Sequence, residues 1–137
     1  MKAEKLKKLA NRYTAAWCGQ NAASVAAFFA ENGTLYVNGS PANGRVAITA
    51  VAQGFMTAFP DLELIMDALE IQPDLVTYHW TFIGTNTGPG GTGKTVRFSG
   101  YEEWTFDKEG LIARSMGHFD NDEYRYQLEH GAGTGQR

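Results

Sequence analysis

Toward the end of the chain, Arg114-Ser-Met-Gly-His118-Phe-Asp120 sets an imidazole two residues from a carboxylate. Side chains alternate across a strand, so on a regular strand Met116, His118 and Asp120 share one face and can touch one ligand. A carboxyl in an apolar pocket has its pKa raised by desolvation, which makes it a usable general acid or base near neutral pH. Asp120 is therefore a candidate acid/base, with His118 orienting it or donating a hydrogen bond. The same aspartate has a plainer reading. Asp is a favoured helix N-cap, and Asn121 to Leu128 reads as a short helical turn that Asp120 would cap. The sequence leaves both open.

Other groups compete for the same chemistry. Glu102 and Glu103 are adjacent, so a regular strand sends them to opposite faces, and at most one enters a pocket beside Trp104. Its neighbour is then solvated or paired with Arg97 or Arg114. Asp61 follows Phe59-Pro60 and reads as a turn or strand-start residue. The aromatic residues Trp17, Phe28, Phe55, Phe59, Trp80 and Trp104 are candidates to line a pocket. The alternation Tyr78, Trp80, Phe82 reads as core, which sends His79 to the other face. The three histidines, His79, His118 and His130, lack ligand spacing, so no metal is expected. No flavin, haem or PLP signature is present, and no organic cofactor is expected. Cys18 stands alone, which reads as a small core or boundary residue.

Two phosphate-binding patterns overlap at residues 88–95. Gly88 to Thr95 fit G-x-x-x-x-G-K-[ST], and Gly88, Gly90 and Gly93 fit G-x-G-x-x-G. Each pattern works only between a strand and a helix, whose N-terminus supplies N–H groups and partial positive charge to the phosphate. Here Val76 to Ile83 reads as a strand, and so does Thr95 to Phe106, with Gly100 in its middle. The context is a long β-hairpin, which argues against nucleotide binding.

These residues need a frame. Leu6, Leu9, Ala10, Tyr13 and Trp17 give residues 2–18 a helical period, ended by Gly19. Asn21 caps a second helix carrying Val25, Phe28 and Phe29, stopped by Asn32-Gly33. Thr34 to Val37 is a short strand, residues 39–44 a loop, and Val46 to Phe59 a third helix closed by Pro60. Strands follow at 62–71, where a helical reading of Met66 to Leu69 stays open, at the hairpin, and at 111–119. Helices first and an antiparallel meander afterward give an α+β domain, expected over residues 1–130, with a flexible tail at 131–137. A twisted sheet with helices on one face bends into an open cone with a pocket.

A length of 137 residues suits one core, and 12 Lys and Arg against 15 Asp and Glu leave a formal net charge of −3. No basic stripe points to nucleic acid, and no apolar run is long enough to cross a membrane or serve as a signal peptide. A cytoplasmic protein acting on a small apolar molecule is the expectation.

In order and in detail these features resemble the SnoaL-like polyketide cyclase family of the NTF2-like (cystatin-like) superfamily. The resemblance spans most of residues 5–128. It rests on Tyr13 and Trp17, Gly44, Ala58-Phe-Pro-Asp-Leu62, Gly84-Thr-Asn-Thr-Gly88, Thr92-Gly-Lys94, Gly110-Leu-Ile112 and Phe119-Asp120. It implies a cone with a pocket between helices and curved sheet, no cofactor, and frequent homodimers. It also implies that an Asp matching Asp120 is the acid/base of an intramolecular aldol closure. The chain departs from the family at Asn86, where His is common, and at Met116, where Trp is common. Asn86 keeps hydrogen bonding but does not titrate.

Overall fold

The computed structural model describes residues 2–133. Helix α1 spans Ala3–Cys18 and buries Leu6, Ala10, Tyr13 and Trp17, one stripe at a spacing of three or four residues. Helix α2 (Ala22–Ala27) starts at Asn21, whose side chain accepts from the Ser24 N–H at 3.0 Å. It ends earlier than the sequence suggests. Phe29 is the first residue of strand β1 (Phe29–Val37), paired with Ile112, whose N–H donates to the Phe28 carbonyl at 2.9 Å. Pairing with a distant strand overrides the local helical period.

Strand β1 turns through Asn38-Gly39 into β2 (Ser40–Asn43) where the sequence suggested a loop. Both turn residues are left-handed, with φ of +48° and +88°, the geometry of a two-residue type I′ hairpin. Helix α3 (Gly44–Ala58) follows. Strands β3 (Glu63–Ile71), β4 (Val76–Thr85), β5 (Thr95–Phe106) and β6 (Ile112–Phe119) then form an antiparallel meander, and helix α4 (Asn121–His130) closes the fold. A register slip between Met66 and Ala68 is a bulge within β3, so that stretch is strand and not helix.

The six strands lie in the order β2-β1-β6-β5-β4-β3. Every ladder is antiparallel except β1 with β6. The short turns that dictate antiparallel neighbours are silent about two strands so far apart in sequence, and these run parallel. The helices pack on this curved α+β sheet, and the core fills the space between them. Tyr78, Trp80, Phe82, Phe98, Glu102 and Trp104 point into that space. His79, Tyr101, Glu103, Met116 and His118 alternate with such residues and lie on the outer face.

Cys18 is exposed, with its Sγ bonded to the backbone of Leu64. The expected tail at 131–137 lies outside the described residues from 134 onward. At its start, the Ala132 N–H donates to the Thr95 carbonyl at 2.6 Å. No helix among the described residues is long and apolar enough to cross a membrane.

Candidate active site

A cavity of about 60 Å³ lies between α1, α3 and the concave face of the sheet. Its walls include Trp17 and Phe55 from the helices and Trp80, Phe82, Phe98 and Phe119 from the strands. Glu102 is the one carboxyl among the lining residues. Strand parity brings it inward together with Trp104, and sends Glu103 outward.

Donors on three elements hold Glu102. Its Oε1 accepts from Tyr13 OH on α1 at 2.9 Å, Trp104 Nε1 at 2.9 Å and Ser115 Oγ on β6 at 2.7 Å. Its Oε2 receives only a second, 3.1 Å arm of the same tyrosine hydroxyl. Oε1 is fully used, whereas Oε2 keeps capacity for one more proton or donor. Across the ladder, Glu102 faces Tyr78 on β4 and Gly117 on β6. Gly117 leaves the wall beside it open, since a Cβ there would stand 3.8 Å from Glu102 Cγ.

Glu102 is only 8 % exposed. Burial raises its pKa above the usual carboxylate range, and the bonds from Trp104, Ser115 and Tyr13 pull it partly back. Tyr13 is held well above an ordinary phenol by burial and then by the charge of Glu102. The Trp17 indole, near enough to favour the phenolate, opposes this. Burial also raises Tyr78, whose hydroxyl bonds Thr14 and whose ring stacks on Trp104 at 4.8 Å. The result is a protonatable carboxyl backed by three donors and fronted by aromatic rings.

The residues singled out from sequence distribute as follows. Trp17, Phe55 and Trp80 line the cavity. Trp104 is fully buried behind it as a donor to Glu102. Phe59 is also fully buried, packed edge-on to Phe82 at 5.1 Å, and is core. Met116 and His118 lie on the outer face, because Ser115, Gly117 and Phe119 occupy the inner one. His118 Nε2 sits 3.1 Å from Glu103 Oε1 and its ring lies 4.8 Å from that of Tyr101. Strand β6 ends at Phe119, so the alternation that would carry Asp120 onward stops there. Asp120 is exposed and caps α4, its Oδ1 accepting from the Glu123 N–H at 3.0 Å. The structure therefore brings neither Asp120 nor His118 to the cavity. Tyr36 also lines the cavity, whereas Arg97 and Arg114, the candidate partners of the outward glutamate, are exposed. No cluster of three metal-ligating side chains occurs among the described residues.

Asn86 turns out to brace a loop. Its Oδ1 accepts from the Thr92 N–H at 2.8 Å and its Nδ2 donates to the Ala58 carbonyl at 3.1 Å, at the end of α3. The Gly88 N–H donates to the same carbonyl at 3.2 Å. The glycine-rich segment is thus docked on α3 and followed by β5, with no helix to receive a phosphate. A Cβ on Gly88 would stand 2.0 Å from the Thr57 carbonyl oxygen. Gly88→Ala is accordingly expected to cost about 2–3 kcal/mol through forced displacement of the loop. Lys94→Ala, at an exposed side chain, should stay within about 0.5 kcal/mol. Urea unfolding of both variants checks this, and equal effects would contradict the docking role.

The SnoaL-like domain model matches residues 10–115. The chain belongs to the SnoaL-like domain family. Solved structures agree on the fold. AclR from Streptomyces galilaeus, assigned as a hydroxylase, is 20% identical, with 94% of this chain and 98% of that one covered and a TM-score of 0.79. A protein from Xanthomonas campestris pv. campestris, assigned as a polyketide cyclase, is also 20% identical, with 91% and 97% covered and a TM-score of 0.75. An NTF2-like protein from Burkholderia pseudomallei K96243 is 15% identical, with 89% and 95% covered and a TM-score of 0.77. No curated protein matches the chain by sequence.

Within this SnoaL-like fold the Phe59-Pro60-Asp61 segment has a structural duty. Asp61 Oδ1 accepts from the Thr85 N–H at 2.7 Å, which lowers its pKa, and Phe59 lies directly under Gly84.

Proposed function

We propose that this SnoaL-like protein is a cofactor-independent acid/base enzyme acting on an apolar, carbonyl-bearing small molecule, in the manner of an aldol cyclase or isomerase. Glu102, in place of Asp120, is the acid/base. One observation carries this: Glu102 is the one carboxyl among the residues lining the aromatic cavity, and its Oε2 accepts only the longer, 3.1 Å arm of the Tyr13 hydroxyl, which leaves it capacity for a proton. The relative assigned as a polyketide cyclase is in keeping with it.

The chemistry balances without an oxidant. Glu102 Oε2 takes a proton from carbon next to the carbonyl, and the C–H electron pair moves into an enolate. The protonated carboxyl then returns its proton to another carbon, which is isomerisation. Alternatively the enolate carbon attacks a second carbonyl, and the proton goes to the resulting alkoxide. Tyr13, Trp104 and Ser115 hold Oε1, so Oε2 keeps one orientation throughout. Cytoplasmic action as a homodimer belongs to the same proposal.

The test is deuterium exchange at the α-carbon of cyclopentanone in D₂O, followed by NMR; a small ring suits the narrow cavity. Exchange should exceed the buffer rate and fall about 100-fold in Glu102→Gln. Asp120→Asn should leave it unchanged. Equal rates for wild type and Glu102→Gln would sink the acid/base role. The alternative is then a binding module without turnover, which the full occupation of Glu102 Oε1 by structural donors favours.

A further inference from the structure

Two residues of the cavity wall carry a buried donor that has no partner among the described residues. The indole N–H groups of Trp17 and Trp80 are both without a hydrogen bond. Each residue is only 8 % exposed and each lines the cavity. Trp17 stands on α1, its ring edge-on to Phe55 at 6.3 Å. Trp80 stands opposite, on β4, among Phe98 and Phe119. Native interiors satisfy nearly all such groups, and an orphaned one costs about 1–3 kcal/mol. An indole is a donor only, so what completes it is an acceptor.

The position of Trp80 is built rather than accidental. Its register partner on β5 is Gly100, and a Cβ there would stand 2.5 Å from Trp80 Cζ2. The missing side chain therefore leaves the space into which the ring folds. Glu102 lies two residues along the same face of β5, a diagonal neighbour of Trp80 at roughly 7–8 Å between backbones. A ligand reaching both would set an oxygen against the indole and a carbon against the carboxyl.

We propose that the Trp80 indole N–H receives the ligand's oxygen, so that the cavity selects molecules bearing a carbonyl-type acceptor on an apolar ring. Trp80 is then a specificity donor, a role separate from the proton transfer assigned to Glu102. The inference rests on the cavity being a ligand site, as the proposed function holds.

The experiment compares cyclopentanone with cyclopentane, rings of one size with and without the oxygen. Each is titrated into ¹⁵N-labelled protein, and the three indole Hε1 resonances are assigned with single Trp→Phe variants. Trp104, already bonded to Glu102, supplies the reference for a bonded indole. Cyclopentanone should move Trp80 Hε1 downfield, and cyclopentane should not. Trp80→Phe should weaken cyclopentanone about fivefold more than it weakens cyclopentane, the worth of one net hydrogen bond. If both probes bind while Trp80 Hε1 ignores the ketone, the acceptor role is overturned and the ligand site stands. If neither probe moves any cavity resonance, the ligand site falls and this inference with it. The shift in wild type decides the matter even if Trp80→Phe folds poorly.

Discussion

Glu102→Ala is expected to lower the unfolding free energy by about 4 kcal/mol, one of the two largest effects of a single substitution in this chain. Truncation orphans Tyr13 OH, Trp104 Nε1 and Ser115 Oγ together, on three elements of one core. Each unsatisfied buried donor costs about 1–3 kcal/mol, and members of one network lose less than the sum. Glu102→Gln keeps an acceptor oxygen and nearly the same volume, so about 1–2 kcal/mol is expected. Urea unfolding followed by tryptophan fluorescence separates the two. A cost below about 1 kcal/mol for Ala would mean that the network does not hold the sheet to α1.

The Gln variant also reveals the sign of the pH dependence. The folded-state pKa of Glu102 is raised, so the native state holds this proton more tightly than the unfolded chain does. Its contribution is therefore fully present below the unfolded value of 4.5 and is lost as pH rises through the raised value. The stability of wild type relative to Glu102→Gln should fall with rising pH from about 4.5 upward. Asp61 works in the opposite sense, because the Thr85 N–H lowers its pKa and its contribution is lost on acidification. A difference curve that rises with pH would contradict the burial of Glu102.

The frame was legible where the signal is local. The period of Leu6, Ala10, Tyr13 and Trp17 marks α1, and β-branched and aromatic runs mark both arms of the β4–β5 hairpin. The absence of a helix after Lys94 disposed of the phosphate motifs. Asn38-Gly39 is a strong hairpin signal, yet with β2 only four residues long the stretch passed for a loop. The extent of β1 and its parallel ladder depend on Phe29 meeting Ile112, which no local pattern encodes.

The candidate site divides the same way. Trp17, Phe55 and Trp80 stood among six aromatic candidates, and periodicity alone does not tell them from Phe28, Phe59 and Trp104, which are not among the lining residues. Asp120 was a choice between acid/base and cap, and the end of β6 at Phe119 decides the geometry. The Phe119 N–H bonds the Asn38 side chain at 2.9 Å, a partner from the β1–β2 turn that a strand pattern does not show. Glu102 was within reach, because an inward Trp104 carries Glu102 with it and sends Glu103 out. Tyr13 stands 89 residues from Glu102 and Ser115 stands 13 residues from it. Only tertiary structure turns those three into one unit.

Gly100→Ala carries the second large expectation, a loss of at least about 3 kcal/mol together with loss of cyclopentanone binding. The added Cβ would stand 2.3 Å from the His118 carbonyl oxygen and 2.5 Å from Trp80 Cζ2. A flexible side chain could give way, but the carbonyl belongs to β6 and the ring fills the cavity wall. Gly100 is also paired on both sides, to Trp80 and to Phe119, so β5 has no free edge along which to shift. Overpacking of this kind costs about 1–3 kcal/mol in an ordinary core and more where backbone is struck. At Gly117 a Cβ meets the Tyr36 carbonyl at 3.0 Å, a closer call that a few tenths of an ångström relieve, so Gly117→Ala should cost less. Gly54, exposed on α3 with nothing within 4 Å, is the control: Ala there should stabilise by up to about 1 kcal/mol. Measured as urea midpoints with cyclopentanone titrations alongside, the order Gly54, Gly117, Gly100 should run from gain to largest loss. If Gly100→Ala matched Gly117→Ala in stability and still bound the ketone, Trp80 would not need the space that Gly100 leaves, and its ring would not form the cavity wall.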